Sequence, residues 1–130
     1  MRSFFPLIAC VSLLLTGCKP VGSTRPSDSA PITIELKARL EAAKAITFSN
    51  DRDQALAAVA RDAAKAGDAT VTKAALGAIN FTAVKDETAA DCALKLAAAK
   101  QGTSANEVAN MISFTTIRDA TLKKLASGGY

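Results

Sequence analysis

From Ile32 onward, apolar residues recur at the three- and four-residue spacing of amphipathic helices, in a background rich in alanine. No segment shows the sustained apolar–polar alternation of a half-buried strand. Gly67 and Gly102 are expected to end helices, with Asp68 and Thr103 capping the helices that follow. The predicted helices cover residues 33–46, 50–66, 69–79, 83–101, 103–112 and 116–126.

A motif of the form Ile-x-Phe-Ser/Thr occurs three times, at 46–49, 79–82 and 112–115, so that its period is 33 residues. A basic and an acidic residue follow each copy at the same offset, and matched small or apolar positions come next. This many coincidences at one period indicate a helical-repeat architecture. The basic–acidic pairs are Arg52-Asp53, Lys85-Asp86 and Arg118-Asp119; the matched positions are Leu56/Ala89/Leu122, Val59/Cys92/Leu125 and Ala60/Ala93/Ala126.

The fold predicted from this pattern is all-α, with three stacked antiparallel helix pairs, each closed by one Ile-x-Phe-Ser/Thr corner. One pair cannot bury its apolar stripe alone, whereas three stacked pairs can. The helical-repeat domain is assigned to residues 32–127, and residues 128–130 form a short tail that begins with two glycines.

The N-termini of the long helices are expected to be capped by the hydroxyl residue of each corner, namely Ser49, Thr82 or Thr115. Asp51 combined with Gln54 is a competing cap for the first long helix. The start of that helix is therefore uncertain by one turn.

The first residues of the chain follow another pattern, in which Arg2 precedes an apolar run from Phe4 to Leu15. Such a run is typical of a secretory signal peptide and is too short to span a membrane. The segment Leu15-Thr16-Gly17-Cys18 ends it and resembles the lipobox of bacterial lipoproteins. The resemblance implies that residues 1–17 are cleaved as a signal peptide and that Cys18 carries the lipid anchor. An ordinary signal peptide that contains a cysteine is the alternative.

Residues 18–31 are rich in proline, serine and glycine, which favours a flexible tether whose first residue is lipidated. The part after Cys18 stretches to about 40 Å at most, so the domain is expected to stay close to the membrane. In lipoproteins of enteric-type Gram-negative bacteria, Asp after the cysteine favours the inner membrane. Because Lys19 stands there, the outer membrane, facing the periplasm, is the expected location in such an organism.

Composition excludes several kinds of chemistry. The chain contains no histidine, which rules out Ser-His-Asp and Cys-His catalysis and imidazole metal sites. With Cys10 cleaved off and Cys18 acylated, the single thiol of Cys92 can form neither an internal disulfide nor a structural zinc site. The formal net charge of the chain is +4, but the basic residues are interspersed with acidic ones. Nucleic acid is therefore not an expected partner. No metal and no cofactor is expected.

The basic residues Arg52, Lys85 and Arg118 have two interpretations. In the structural reading, an acid of one unit pairs with a base of the next and forms a ladder along one edge. In the functional reading, the three basic residues line a binding groove. Phenylalanines 48, 81 and 114 are expected to fill the core between stacked units, with a partner-binding stripe as the alternative.

Cys92 is expected in the core because its repeat equivalents are Val59 and Leu125. A redox or nucleophilic role is the alternative. The segment from Asn50 to Asp53 has the oxygen ligands of a metal loop, but helix capping is the favoured interpretation because Arg52 lies within it.

The first unit resembles a tetratricopeptide-like repeat. Leu56, Val59, Ala60 and Ala63 occupy helix-A positions, Gly67-Asp68 the turn, and Leu76 a helix-B position. The chain departs from that family at Ala63, where an aromatic residue is usual, and at Thr72, where alanine is usual. The resemblance implies a surface that binds peptides or partner proteins.

The expected function is therefore that of a membrane-anchored envelope lipoprotein, a non-catalytic adaptor or accessory subunit that binds another protein. An inhibitor or immunity-type lipoprotein is one alternative, and a purely structural spacer is another. An enzyme acting on peptidoglycan or lipid would need a carboxylate pair or a Ser-Lys dyad in a cleft, and no spacing points to one.

Overall fold

The computed structural model describes residues 29–130, and over this range the protein is all-α, as predicted, with no strand. The predicted signal peptide, the lipid-attachment residue Cys18 and most of the predicted tether lie outside the described residues. The first helix takes in the last three residues of that tether, since it begins at Ser29. The six helices are α1 (Ser29–Lys44), α2 (Ser49–Lys65), α3 (Ala69–Ala78), α4 (Thr82–Ala98), α5 (Gly102–Asn110) and α6 (Thr115–Ser127).

Helices α2, α4 and α6 lie side by side, and α1, α3 and α5 pack against them. The most extensive contacts join α2 to α3 and α4 to α5, the pairs connected by the turns near Gly67 and Gly102. This leaves α1 and α6 at the two ends of the stack. Alanine allows close approach of the helices, and the larger core side chains are Leu56, Leu76, Leu96, Val71, Val108 and Ile112.

The turn between α2 and α3 has the predicted chemistry. Gly67 adopts the left-handed conformation with φ +76°, which costs glycine little. The side chain of Asp68 accepts a hydrogen bond from the backbone N–H of Val71 at 3.0 Å. Asp68 therefore caps α3 as expected.

The turn between α4 and α5 differs from the prediction. The left-handed residue is Lys100, with φ 63°, and Gly102 is already the first residue of α5. Thr103 does not cap this helix, because the N-cap position is Gln101. The repeat register explains the shift: Lys100 comes one period after Gly67, and both turns close by the same type of backbone bond, Asp68 N–H to Ala63 O at 2.8 Å and Gln101 N–H to Leu96 O at 2.9 Å.

The expected hydroxyl caps of the long helices are also wrong. Ser49, Thr82 and Thr115 are the first residues inside α2, α4 and α6. The N-cap positions belong to the preceding phenylalanines, and no side chain at these positions makes a capping hydrogen bond. The groups that cap α4 and α6 come from the neighbouring unit. None of the helices within residues 29–130 is long and apolar enough to cross a membrane.

Candidate functional site

The acidic residue of the first unit caps the long helix of the second. Asp53 is buried, with 1% of its surface exposed. Its Oδ2 accepts hydrogen bonds from the backbone N–H of Asn80 at 3.0 Å and of Phe81 at 2.8 Å. These donors lie at the N-terminus of α4, where N–H groups lack partners within the helix and the helix dipole favours negative charge. The carboxylate thus joins two units through charge-assisted bonds.

The same arrangement recurs one period later. Asp86 is fully buried, and its two oxygens accept from the N–H groups of Ser113 at 3.0 Å and Phe114 at 2.8 Å. Both oxygens of Asp86 are therefore used. In the first unit, by contrast, Oδ1 of Asp53 accepts no hydrogen bond, and Arg52 Nε lies 3.8 Å from it.

The predicted ladder of acid–base pairs between units is therefore wrong for these residues. Asp53 and Asp86 bind backbone N–H groups, not the basic residue of the next unit. A buried carboxylate needs donors held in place, and N–H groups fixed by the backbone are ordered at less entropic cost than a long basic side chain. Salt bridges between units occur elsewhere: Arg61 Nε lies 3.3 Å from Asp91 Oδ2, and Lys73 Nζ lies 2.7 Å from Glu107 Oε2.

The segment from Asn50 to Asp53 is not arranged as a metal loop, since the Oδ2 of Asp53 is bound to two N–H donors. Capping was the favoured interpretation of this segment. Asp53 does cap a helix, but that helix is α4 of the next unit. Within residues 29–130, no three metal-ligating side chains come together in a way that could hold an ion.

The phenylalanines of the corners lie at the surface, so the expectation that they fill the core is wrong. Phe48 is 75% exposed, and Phe81 and Phe114 are each 51% exposed. The inward position of each later corner is taken instead by isoleucine: Ile79 is 5% exposed and Ile112 is 2% exposed. The phenylalanines are instead the N-cap residues of α2, α4 and α6 and lie outside that inward position.

The basic residues accompany the phenylalanines. Each follows its phenylalanine by four residues, so it lies in the first turn of the helix whose N-cap is that phenylalanine. The side chains of Arg52 and Arg118 are 25% and 36% exposed, and Lys85 is half-buried.

The three corners and the helix starts that follow them carry six equivalent side chains. We call this set the corner edge: Phe48, Arg52, Phe81, Lys85, Phe114 and Arg118. Because Asp53 and Asp86 join each corner to the next, the three phenylalanine–cation pairs follow one another along one side of the stack. Packed helices lie about 8–10 Å apart, so successive pairs are separated by a similar distance. The three basic residues that the sequence singled out thus take equivalent places at the starts of α2, α4 and α6.

Cys92 is fully buried, which confirms its predicted place in the core. Burial, reinforced by the nearby carboxylate of Asp91, raises the pKa of its thiol to about 12. A thiol with such a pKa stays protonated at neutral pH and is a poor nucleophile. Cys92 is consequently part of the packing and not of a reactive centre.

No protein-family model, no curated protein and no solved structure matches this chain. The functional argument therefore depends on the corner edge and on the sequence that precedes the domain.

Proposed function

We propose that this protein is a lipid-anchored envelope lipoprotein that acts as a non-catalytic adaptor and binds a partner protein through the corner edge. The observation that carries the proposal is the row of three exposed phenylalanines, each accompanied by a basic residue. Exposed aromatic side chains in a contiguous row are costly to leave in water, and they are enriched with arginine in protein interfaces.

The chemistry of the corner edge favours a partner segment that presents apolar side chains alternating with carboxylates. The phenylalanines supply apolar area, and the three cations supply charge complementarity and orientation. A repeat spacing of about 10 Å matches side chains three residues apart on a polyproline II segment, which has three residues per turn and rises about 3.1 Å per residue. The partner is therefore an acidic, aromatic-binding segment in the same envelope compartment.

The non-catalytic part of the proposal is supported by the state of the nucleophile candidate and of the carboxylates. The thiol of Cys92 is buried and protonated, and Asp53 and Asp86 are occupied by backbone donors. These groups stabilise the stack and are not available to a substrate.

The lipid-anchored part is supported by the lipobox-like segment and is tested at Cys18. The Cys18→Ala variant is expected to accumulate as an unprocessed precursor without incorporated fatty acid. A mature-sized product released from the membrane would instead indicate ordinary secretion and would contradict the anchor.

The adaptor is tested by site-specific photo-crosslinking of the full chain in cells. A photoreactive residue at Phe81 is expected to give one discrete adduct with a second envelope protein. The same residue at Lys65 serves as the control, because Lys65 ends α2 and lies about 24 Å along that helix from the corner. The Phe114→Ser and Arg118→Ser substitutions should reduce the Phe81 adduct while the helical content remains unchanged.

Equal crosslinking from both positions would contradict a role of the corner edge. Binding of residues 19–130, which lack the anchor, to anionic vesicles through the same phenylalanines would show that the edge meets the membrane surface and not a protein. Turnover of peptidoglycan fragments by the purified chain would overturn the non-catalytic assignment.

A further inference from the structure

The two ends of the helical stack have complementary open faces. In the interior, α2 covers one side of the second unit, and its Asp53 binds the corner at Asn80 and Phe81. At the end formed by α6, the equivalent acid is Asp119, and no corner lies in front of it within residues 29–130. At the end formed by α1 and α2, the equivalent corner is Thr47 and Phe48, and no described carboxylate binds its N–H groups.

The face of α6 carries the pattern that is buried in the other long helices. Leu122, Leu125 and Ala126 occupy the repeat positions of Leu56, Val59 and Ala60. Those three residues of α2 are at most 4% exposed, whereas Leu122 and Leu125 are half-buried and Ala126 is exposed. An open cavity of about 340 Å³ lies along this face, between α5 and α6. The side chain of Asp119 is 73% exposed. We call this the α6 face.

The opposite end has an apolar groove between α1 and α2. It has a volume of about 320 Å³, and Ala42, Ile46, Ala55 and Ala58 are among the residues that line it. One period later the equivalents of Ala42 and Ile46 are Ala75 and Ile79, which α2 helps to cover and which are 0% and 5% exposed. Ala42 is exposed and Ile46 is half-buried. We call this the α1 face.

We propose that a second copy of this chain occupies the α6 face with its own α1 face, so that copies associate head to tail. Asp119 of one copy then accepts hydrogen bonds from the N–H groups of Thr47 and Phe48 of the next. Leu122 and Leu125 cover Ala42 and Ile46, as Leu56 and Val59 help to cover the second unit within one chain. This inference goes beyond the adaptor function, because it uses the ends of the stack and takes only the backbone N–H of Phe48 from the corner edge.

A second copy is the expected occupant of the α6 face, because this contact would repeat the interfaces between units inside the chain. Two internal junctions use one buried carboxylate and two corner N–H groups with nearly equal distances, 3.0 and 2.8 Å in each. A second copy offers the same corner motif, with isoleucine at 46 and phenylalanine at 48, and the negative charge of Asp119 suits a helix N-terminus. Such a contact joins different surfaces of two identical chains and can therefore repeat without closing.

The geometry is tested by disulfide trapping in cells with two differently tagged full chains. Both carry Cys92→Ala, and one carries Asp119→Cys while the other carries Thr47→Cys. A covalent dimer that contains both tags is expected, because residue 119 of one copy would lie against residue 47 of the next, as Asp53 lies against Asn80 within the chain. A single chain with both substitutions should give a series of higher oligomers.

The matched control replaces Asp119→Cys by Glu87→Cys, an exposed position on α4 away from both ends. It keeps every other cysteine of the experiment the same. A yield no higher than in this control would overturn the proposal. Crosslinks between two copies of Asp119→Cys, without crosslinks to Thr47→Cys, would mean a symmetric contact and would overturn it as well.

The energetics are tested by sedimentation of the purified full chain in density-matched detergent. The average mass should rise with protein concentration, and Asp119→Lys should weaken association at least ~10-fold, since it puts a positive charge against a helix N-terminus. Glu87→Lys makes the same change of charge and should leave association unchanged. Equal effects of the two substitutions, or a mass independent of concentration, would refute the head-to-tail contact.

The fluorescence of Tyr130 can report on the head-to-tail contact in the unsubstituted chain. Tyr130 is the only tyrosine of a chain that has no tryptophan, it is 57% exposed, and it lines the cavity of the α6 face. Its fluorescence should change over the same concentration range as the mass. A tyrosine signal that stays constant while the mass rises would place the contact elsewhere and contradict the proposal.

Discussion

Asp86 and Asp119 occupy the same position of two successive repeats but have opposite surroundings. Asp86 is fully buried and binds two backbone N–H groups, whereas the side chain of Asp119 is 73% exposed. The helix that carries the acid is similar in both units. The difference comes from the presence or absence of a following corner, so the role of the acid is decided by its neighbour and not by its own segment.

Removal of the carboxylate is expected to produce the largest difference in stability between an interior repeat and the end of the stack. Asp86→Ala should lower the free energy of unfolding by about 3 kcal/mol, because two part-buried N–H groups lose their acceptor and each costs about 1–3 kcal/mol when left unpaired. Asp119→Ala should change it by less than about 0.5 kcal/mol. Urea unfolding of residues 19–130 at low protein concentration measures both. Equal losses would show that the carboxylate acts within its own helix.

A smaller difference is expected between the two interior junctions when only the charge is removed. Asp86→Asn should cost about 2 kcal/mol, because one of the two accepting oxygens becomes an NH₂ group that faces an N–H donor. Asp53→Asn should cost about 1 kcal/mol, because Oδ2 accepts both bonds in this unit and an amide oxygen can replace it. The same unfolding experiment compares the two, and a reversed order would contradict the distances at these junctions.

Alkaline pH should destabilise the interior through Cys92. Burial raises the pKa of this thiol from 9.0 to about 12, so above pH 9 the unfolded chain loses a proton that the folded chain keeps. Stability must then fall as pH rises, by about 1.4 kcal/mol per pH unit between the two values. Unfolding of residues 19–130 at pH 8 and pH 10, compared with Cys92→Ala, isolates this contribution. A parallel decrease in both proteins would show that other groups cause it.

The same thiol moved to the end of the stack should become reactive. Leu125 is the repeat equivalent of Cys92 and is only half-buried. Leu125→Cys in the Cys92→Ala background is expected to react with an aromatic disulfide reagent in the folded state, while native Cys92 stays protected. Similar rates for the two cysteines would mean that the interior opens as easily as the end.

The smallest effect concerns the two equivalent turns. Lys100 holds a positive φ of 63° at a cost of about 1 kcal/mol, and Lys100→Gly should recover most of it. Gly67→Ala should lose a similar amount, because φ is +76° and the new Cβ would lie 3.0 Å from Gln101 Nε2. Thermal unfolding should show shifts of several degrees in opposite directions. Shifts of the same sign would contradict the equivalence of these turns.

Local patterns predicted the helices well because helical periodicity and alanine content act within each segment. The predicted and observed helices differ by a few residues at their ends, with the largest changes at the start of α1 and the end of α4. Turn positions were less predictable, since Gly102 was expected to end a helix and Lys100 occupies the strained position instead. The likeness to tetratricopeptide repeats and the lipid anchor at Cys18 stay predictions.

The sequence singled out residues of the candidate site but did not predict their surroundings. The sequence pointed to Arg52, Lys85 and Arg118, and the repeated offset of the acids was a signal that they share one role. That role could not be assigned, because a carboxylate and a backbone N–H of the next unit are 27 or 28 residues apart in the chain. Phe48, Phe81 and Phe114 were misplaced in the core for a related reason: hydrophobicity indicates a tendency to be buried, but only the packed corner shows that isoleucine has already taken the inward position.

The order of the chain alone predicts the all-α fold, and it contains a motif that recurs every 33 residues and a lipobox-like segment, because these features depend on neighbouring residues. The tertiary structure decides which residues at the same repeat position also have the same role. Burial and hydrogen bonding depend on what the adjacent unit supplies, so Asp53 and Asp86 lie inside the stack, whereas Asp119 lies at its open end.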